Sequence, residues 1–163
     1  IGFVAASQNG TPVNAGDRVE FQLVAVGAPF QRITVSGQGS YAITNGGRVD
    51  GLSAGFFTNL NAPFVPPSPL TSLVEFNHDA TAPPTSDVGT WNVPMDHALP
   101  GGWQRVKIVF NQVLQATTPT GGNAAIQSSE IRIAVSVPEP GLGGVMTACC
   151  VVRRLRKNTA ARR

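Results

Sequence analysis

The sequence predicts an all-β protein, a single antiparallel β-sandwich of the jelly-roll or cohesin-like kind that spans residues 1–137. Several short runs alternate apolar and polar residues, which is the pattern of a strand with one buried face. Turn-forming dipeptides and glycine pairs separate those runs. No window of about a dozen residues has the period of an amphipathic helix. Together these three observations favour two packed sheets over a helical or mixed fold.

Six runs are predicted to be strands. The clearest is the last, in which Ile131, Ile133 and Val135 fall on one side while Glu130 and Arg132 fall on the other. β-Branched and aromatic residues dominate these runs, as expected of pleated, half-buried segments. In chain order the runs are 1–7, 17–26, 31–35, 73–76, 103–114 and 129–137. Alternation in the second and fifth runs predicts that the core contains Val19, Phe21, Leu23, Val106, Ile108 and Phe110.

Turns and prolines divide the chain between these runs. Asn9-Gly10 and Asn45-Gly46 are typical of tight hairpin turns, because Asn and Gly accept the positive φ that such turns need. Eight of the thirteen prolines lie in the region of about 58–102. Proline donates no hydrogen bond to a sheet, so this region is predicted to be mostly loop, turn and edge strand.

Charge is distributed unevenly along the chain. The formal net charge is +3, yet six of the twelve basic residues occupy the last eleven positions. All nine acidic residues lie at or before Glu139, so residues 1–140 carry a net charge of −3. A mildly acidic body does not indicate binding to phosphate backbones, and no nucleic-acid partner is predicted.

Strand periodicity stops at Val137, and three features follow in order. Pro138-Glu139-Pro140 is extended and has no ladder donor from either proline. An uncharged segment, 141–152, comes next, and a basic end, 153–163, follows it. The apolar side chains of the uncharged segment are Leu142, Val145, Met146, Cys149, Cys150, Val151 and Val152. The cations directly after it are Arg153, Arg154, Arg156 and Lys157.

An apolar segment that precedes Arg and Lys is a device for orienting a chain in a membrane. The basic side stays in the cytoplasm, which leaves residues 1–140 outside. As a helix, segment 141–152 spans about 18 Å, whereas the hydrocarbon core of a bilayer is about 30 Å thick. The sequence therefore predicts a transient hold on the membrane, ended by cleavage, in preference to a permanent anchor.

This ordered tail resembles the PEP-CTERM sorting signal of bacterial exported proteins, over about residues 137–157. The resemblance implies export by a cleaved N-terminal signal peptide and transient retention in the inner membrane. It also implies cleavage near the motif by an exosortase, a membrane-embedded cysteine protease. Carried onto this chain, it assigns recognition to Pro138, Glu139 and Pro140, and stop-transfer to the cations at 153–157. The implied destination is the cell envelope or the extracellular space.

Candidate chemistry in the body is sparse. The two histidines, His78 and His97, each have an acidic neighbour, Asp79 and Asp96, but their spacing matches no metal-ligand motif. They are interpreted as solvated loop residues. No cofactor is predicted. Ca²⁺ is the one cation with candidate ligands, the carboxylates of Asp79 and Asp87, although the spacing of a calcium loop is absent.

Aromatic residues offer a second kind of site. Trp91, Trp103 and Tyr41 are candidates for a platform on which sugar rings stack, against the simpler interpretation that they pack in the core and loops. Three further residues are interpreted as a cover over one end of the sandwich, unless they are exposed together as a binding patch: Phe56, Phe57 and Phe64.

The function that these observations favour is that of a non-enzymatic exported protein, which binds polysaccharide or other surface proteins through the loops between 58 and 102. The alternative is a secreted hydrolase or lyase that acts on polysaccharide. Such an enzyme needs paired carboxylates about 5–10 Å apart in a groove. The candidate carboxylates are Asp79, Asp87 and Asp96.

Overall fold

The computed structural model of the chain describes residues 2–61, 69–80 and 86–138. In this part of the chain all regular structure is β, and the strands form two antiparallel sheets, which confirms the predicted all-β sandwich. The eight strands are β1 (Phe3–Gln8), β2 (Val13–Val24), β3 (Phe30–Thr44), β4 (Gly47–Asn59), β5 (Leu70–Ala80), β6 (Ser86–Trp103), β7 (Arg105–Thr117) and β8 (Asn123–Ser136).

Each sheet has four strands. The first sheet has the order β1-β8-β3-β6 and the second has the order β2-β7-β4-β5. Only β4 and β5 are both consecutive in the chain and adjacent in one sheet. Every other connection carries the chain from one sheet to the other, so each sheet is assembled from distant parts of the sequence.

The Asn-Gly turns have the predicted backbone but not the predicted role. Asn9 and Asn45 have φ values of 52° and 58°, and the glycines that follow them, Gly10 and Gly46, have φ values of 86° and 82°. The prediction of hairpins is wrong, because the strands that each turn joins belong to different sheets. The residues of a turn determine only a local reversal of the chain. Which strand the next strand pairs with depends on packing between residues that are far apart in the sequence.

The core lies between the inward faces of the sheets, in two apolar clusters divided by a polar layer. Residues predicted to face inward do so, and Val106, Ile108 and Phe110 of β7 are fully buried. In the polar layer, Gln112 Nε2 donates a hydrogen bond to Ser53 Oγ over 3.1 Å. The first cluster includes Phe30, Ile33, Val35, Phe57, Met95 and Phe110. The second includes Ile43, Val49, Trp91, Val93, Leu114 and Ile126.

In the proline-rich region 58–102 the predicted edge strands are present, but they are longer than expected and the prediction of mostly loop is wrong. The region contains β5 and β6, which together occupy more of it than loops do among the described residues. Both are edge strands of their sheets, the position at which a sheet tolerates proline. Pro94 lies within β6, opposite Ser36 of β3. Despite its prolines, β6 alternates buried and exposed side chains, and Trp91, Val93 and Met95 are among the buried ones.

Candidate functional site

The main cluster of chemically active side chains joins the two edge strands β5 and β6. His78 on β5 and Asp87 on β6 belong to different sheets, and both side chains are turned toward the gap between them. His78 Nε2 lies 2.5 Å from Asp87 Oδ2, and each side chain is about one-third exposed, at 31% and 39%. This His78–Asp87 pair therefore links the sheets at the rim of the sandwich.

Two aromatic rings pack against the imidazole of the His78–Asp87 pair. The ring of Tyr41 on β3 lies 4.6 Å from the His78 ring, and Phe76 stacks on His78 with a centroid distance of 6.5 Å. Tyr41 lies flat over Gly89, its partner in the β3–β6 ladder, where an added Cβ would be only 2.6 Å from Tyr41 Cζ. A glycine at that position is therefore needed for the ring to reach the imidazole.

The pKa of Tyr41 responds to the negative charge of Asp87. Burial raises the pKa of Tyr41 above the ordinary value of about 10, and the Asp87 carboxylate raises it further. Both act against the phenolate, the first by desolvating it and the second by repelling it. Because burial is the larger cause, removing the negative charge of Asp87 should lower the pKa only in part.

We expect Asp87→Asn to lower the pKa of Tyr41 while leaving it above the ordinary value. The measurement is a titration of phenolate absorbance, which is unambiguous because Tyr41 is the only tyrosine of the chain. The matched control is Asp79→Asn, since Asp79 lies on the other side of β5 and faces Arg48. An unchanged pKa in Asp87→Asn, or an equal shift in the control, would contradict the arrangement.

The two candidate calcium ligands do not converge. Asp79 follows His78 on β5 and points to the outward face of the second sheet, where its Oδ1 lies 3.8 Å from Arg48 Nε. Arg48 also pairs with Asp50 over 2.7 Å. Asp87 is instead paired with His78. Within the described residues, no group of three or more His, Cys, Asp or Glu side chains is placed to hold a metal ion.

The predicted neighbours Asp96 and His97 face opposite sides of β6. Asp96 lies on the outward face of the first sheet and accepts hydrogen bonds from Arg32 and from Thr34 Oγ1, which hold the pKa of its carboxyl below the usual range. His97 points inward, 4.5 Å from the ring of Phe57. Its buried Nε2 has no hydrogen-bond partner among the described residues. The two side chains therefore form no acid–base pair.

The two tryptophans pack in the core, in agreement with the simpler interpretation, and do not form the alternative sugar-stacking platform. Trp91 and Trp103 are 3% and 7% exposed, because both occupy inward positions of β6. The indole N–H of Trp91 donates to the carbonyl oxygen of Gln127 over 3.1 Å, so its polar atom is satisfied inside the sandwich. Phe57 is also fully buried, whereas its neighbour Phe56 is exposed. Phe64 lies outside the described residues.

Sequence reasoning missed an apolar patch on the outward face of the second sheet, formed by Leu52, Phe56, Leu73, Val109 and Val113. Four of these five are among the exposed large hydrophobic residues of the described chain. The patch has a signal in the sequence, namely strands that are apolar on both faces. Phe56-Phe57 in β4 and Ile108-Val109-Phe110 in β7 place apolar side chains inward and outward alternately.

Most of the predicted sorting tail lies outside the described residues: Glu139, Pro140, the uncharged segment 141–152 and the basic end 153–163. Pro138 is described, two residues after the end of β8, and is half-buried. The described residues contain no helix long and apolar enough to span a bilayer.

Comparison with known proteins gives no family for this chain. No family model matches it, and no curated protein matches it. A crystal structure of the enzymatically active domain of bacteriophage CBA120 tailspike protein 4 aligns with 83% of this chain and 19% of its own, at 11% identity and a TM-score of 0.27. The structure of infectious bursal disease virus Gx strain aligns with 91% and 44%, at 11% identity and a TM-score of 0.24.

This chain thus spans less than half the length of either solved structure. At such identities and TM-scores, neither likeness identifies a function. The residues and their contacts remain the basis for a functional proposal.

Proposed function

We propose that this chain is an exported protein of the cell envelope or extracellular matrix, sorted by its PEP-CTERM-like tail, whose body is a non-enzymatic β-sandwich module. The observation that carries the proposal is the position at which the last strand ends. β8 ends at Ser136, and the Pro-Glu-Pro motif begins at Pro138. The motif therefore follows the body directly, with a single residue between them.

This boundary suits a tail that is removed. Ser136 is the final residue of β8 in the ladder with β3, where it pairs with Arg32. A cut upstream of it would remove part of a strand from the middle of a sheet, whereas a cut at or after Pro138 leaves every strand pairing in place. The order of extended motif, uncharged segment and basic end then supplies recognition, membrane hold and orientation in turn.

The body supports binding better than catalysis. Asp79, Asp87 and Asp96 have separate partners and face three different surfaces, so the paired carboxylates of a glycoside-cleaving groove have no counterpart among the described candidates. The outward face of the first sheet suits a hydroxylated polymer, because it carries many uncharged donors and acceptors beside the ion pairs Arg32–Asp96 and Glu130–Arg132. The uncharged residues include Thr34, Ser36, Gln38, Ser40, Thr90, Asn92 and Gln127.

Of the two sandwich types expected, we favour the jelly roll. Jelly rolls have eight strands in two sheets, built from two Greek keys. The strand count and the orders β1-β8-β3-β6 and β2-β7-β4-β5 support this assignment, because the chain passes between the sheets at six of its seven connections.

The decisive experiment is the intact mass of the protein recovered from its native bacterium, with the C-terminal peptide sequenced. We expect a chain that ends near Pro138–Pro140 and fractionates with extracellular polysaccharide. Replacing the motif by alanine at Pro138, Glu139 and Pro140 should leave the tail attached and the protein in the membrane fraction. The reason is that the protease no longer recognises the extended segment.

A matched control changes three residues of the body's surface to alanine: Thr90, Asn92 and Gln127. This variant should be cleaved like the parent chain, since its tail is intact. Recovery of the parent chain with all residues to Arg163 would overturn the sorting proposal. Cleavage without recovery in the polysaccharide fraction would leave the sorting intact and overturn the matrix location.

A further inference from the structure

The apolar patch covers the two middle strands of the second sheet, β7 and β4, and extends onto the edge strand β5. Ladder registers place its members side by side on three adjacent strands. Leu52 of β4 lies opposite Val113 of β7, and Phe56 lies opposite Val109. Leu73 of β5 lies opposite Ala54 of β4, between those two rows. Leu73 is 63% exposed, the most of the five. A contiguous apolar surface of this kind usually marks an interaction site.

Two charged side chains flank the patch on opposite edges of the sheet. Arg18 lies on β2, in the row of Asn111 and Ala54. Glu75 lies on β5, opposite Leu52. Neither has an ion-pair partner among the described residues, whereas the nearby Arg48 is paired with Asp50 and Asp79. One edge of the face therefore carries an unpaired positive charge and the other an unpaired negative charge.

We propose that this face is the interface of a homodimer, in which the second sheets of two copies stack face to face. A two-fold axis parallel to the strands would place β2 of one copy over β5 of the other. Arg18 of each copy would then lie two residues along the strand from Glu75 of its partner, about 7 Å and within reach of an arginine side chain. The apolar patches would meet at the centre.

The charges of Arg18 and Glu75 favour this arrangement over a second possible face-to-face dimer, in which the two-fold axis runs across the strands. An axis perpendicular to the strands would place β2 over β2 and β5 over β5. Like charges would then approach at both edges, which disfavours that pairing. With the axis along the strands, each unpaired charge meets its opposite, so the face is complementary to itself.

The size of the face is adequate for a stable dimer. Four strands about 4.8 Å apart and ten residues at about 3.4 Å each give roughly 650 Å² per copy. Two copies would bury roughly 1,300 Å², which lies within the usual range for specific interfaces. Aligned packing of two twisted sheets, about 10 Å apart, is a common geometry and needs no change in either sheet.

The test is the molar mass of the full chain, measured by light scattering and by sedimentation over a range of concentrations. The parent chain is expected to be a dimer. Leu73→Arg should weaken dimerisation by about a hundredfold or more, because Leu73 would lie over β2 of the partner in the row of Arg18, so each new charge would enter the interface beside a like charge. The matched control is Val88→Arg, since Val88 is 75% exposed on the first sheet. It should leave the dimer unchanged.

A charge exchange tests the proposed orientation. Arg18→Glu and Glu75→Arg should each weaken the dimer by about tenfold, because each leaves like charges facing one another. The double variant should recover most of the affinity, since the opposite charges are again paired. A parent chain that stays monomeric at high concentration would overturn the proposal. So would an association that Leu73→Arg leaves unchanged, as expected if the C-terminal segment drove it. Neither result bears on tail cleavage.

Discussion

Gly39→Ala is expected to destabilise the fold by about 3 kcal/mol or more, a large part of the stability of a domain of this size. Gly39 lies in β3 next to a register shift against β8. A Cβ at this position would overlap the carbonyl oxygen of Gln127 and would lie 2.9 Å from both its carbonyl carbon and Trp91 Cε2. The obstacle is backbone, so no change of rotamer relieves it. Chemical denaturation, followed by tryptophan fluorescence, measures the loss.

Gly51→Ala is the control for this substitution. Gly51 is also a buried strand glycine, but its nearest neighbour to an added Cβ is Leu114 Cδ2 at 3.4 Å, an ordinary contact. We expect a change of less than about 1 kcal/mol, since alanine also restricts the unfolded chain. Equal effects of the two substitutions would show that close approach at Gly39 is not the cause.

Phe57→Ala is expected to cost about 3–5 kcal/mol of stability, the range for removing a large buried aromatic ring. Phe57 is fully buried in the first apolar cluster, where its ring contacts His97. Loss of the ring would leave a cavity between β4 and β6 that backbone ladders on both sides prevent from closing. The free energy of unfolding, obtained from denaturant titration, is the quantity to compare.

The adjacent Phe56→Ala provides the internal comparison, because Phe56 is 37% exposed on the outward face of the same strand. In dilute protein, where association does not contribute, it should cost less than about 1 kcal/mol. If Phe56→Ala proved as costly as Phe57→Ala, the assignment of inward and outward faces along β4 would be wrong. Together the pair tests the register of this strand with a single residue type.

The strands that the sequence predicted are those with a clear alternation of apolar and polar residues. β7 and β8 belong to this group, and their inward positions were predicted correctly. β4 was missed because glycines occupy two of its buried positions, Gly51 and Gly55. β6 was missed because Pro94 and Pro100 suggested loop. Glycine and proline each indicate the backbone preference of a single residue. Whether a strand lies at the edge or in the centre of a sheet depends on how all the strands of that sheet pair.

The candidate site was predicted only in its parts. His78 and Asp87 were both identified, but with other partners, because each was interpreted beside its neighbours in the chain. Their contact requires β5 and β6 to be the edges of two sheets that meet at one rim. Tyr41 joins them from β3, far away in sequence, because Gly89 lets its ring lie across the ladder. Proximity of this kind follows from topology and not from spacing.

The sequence by itself determined the periodic features of this protein: the all-β class, the inward faces of its clearest strands and the positive φ of its Asn-Gly turns. It also defined the order of motif, uncharged segment and basic end on which the sorting proposal depends. Only the tertiary structure decided which sheet each strand enters, which tryptophans are buried and which outward face is apolar. The physical reason is that alternation and turn chemistry act between near neighbours, whereas strand pairing and burial depend on contacts between residues far apart in the chain.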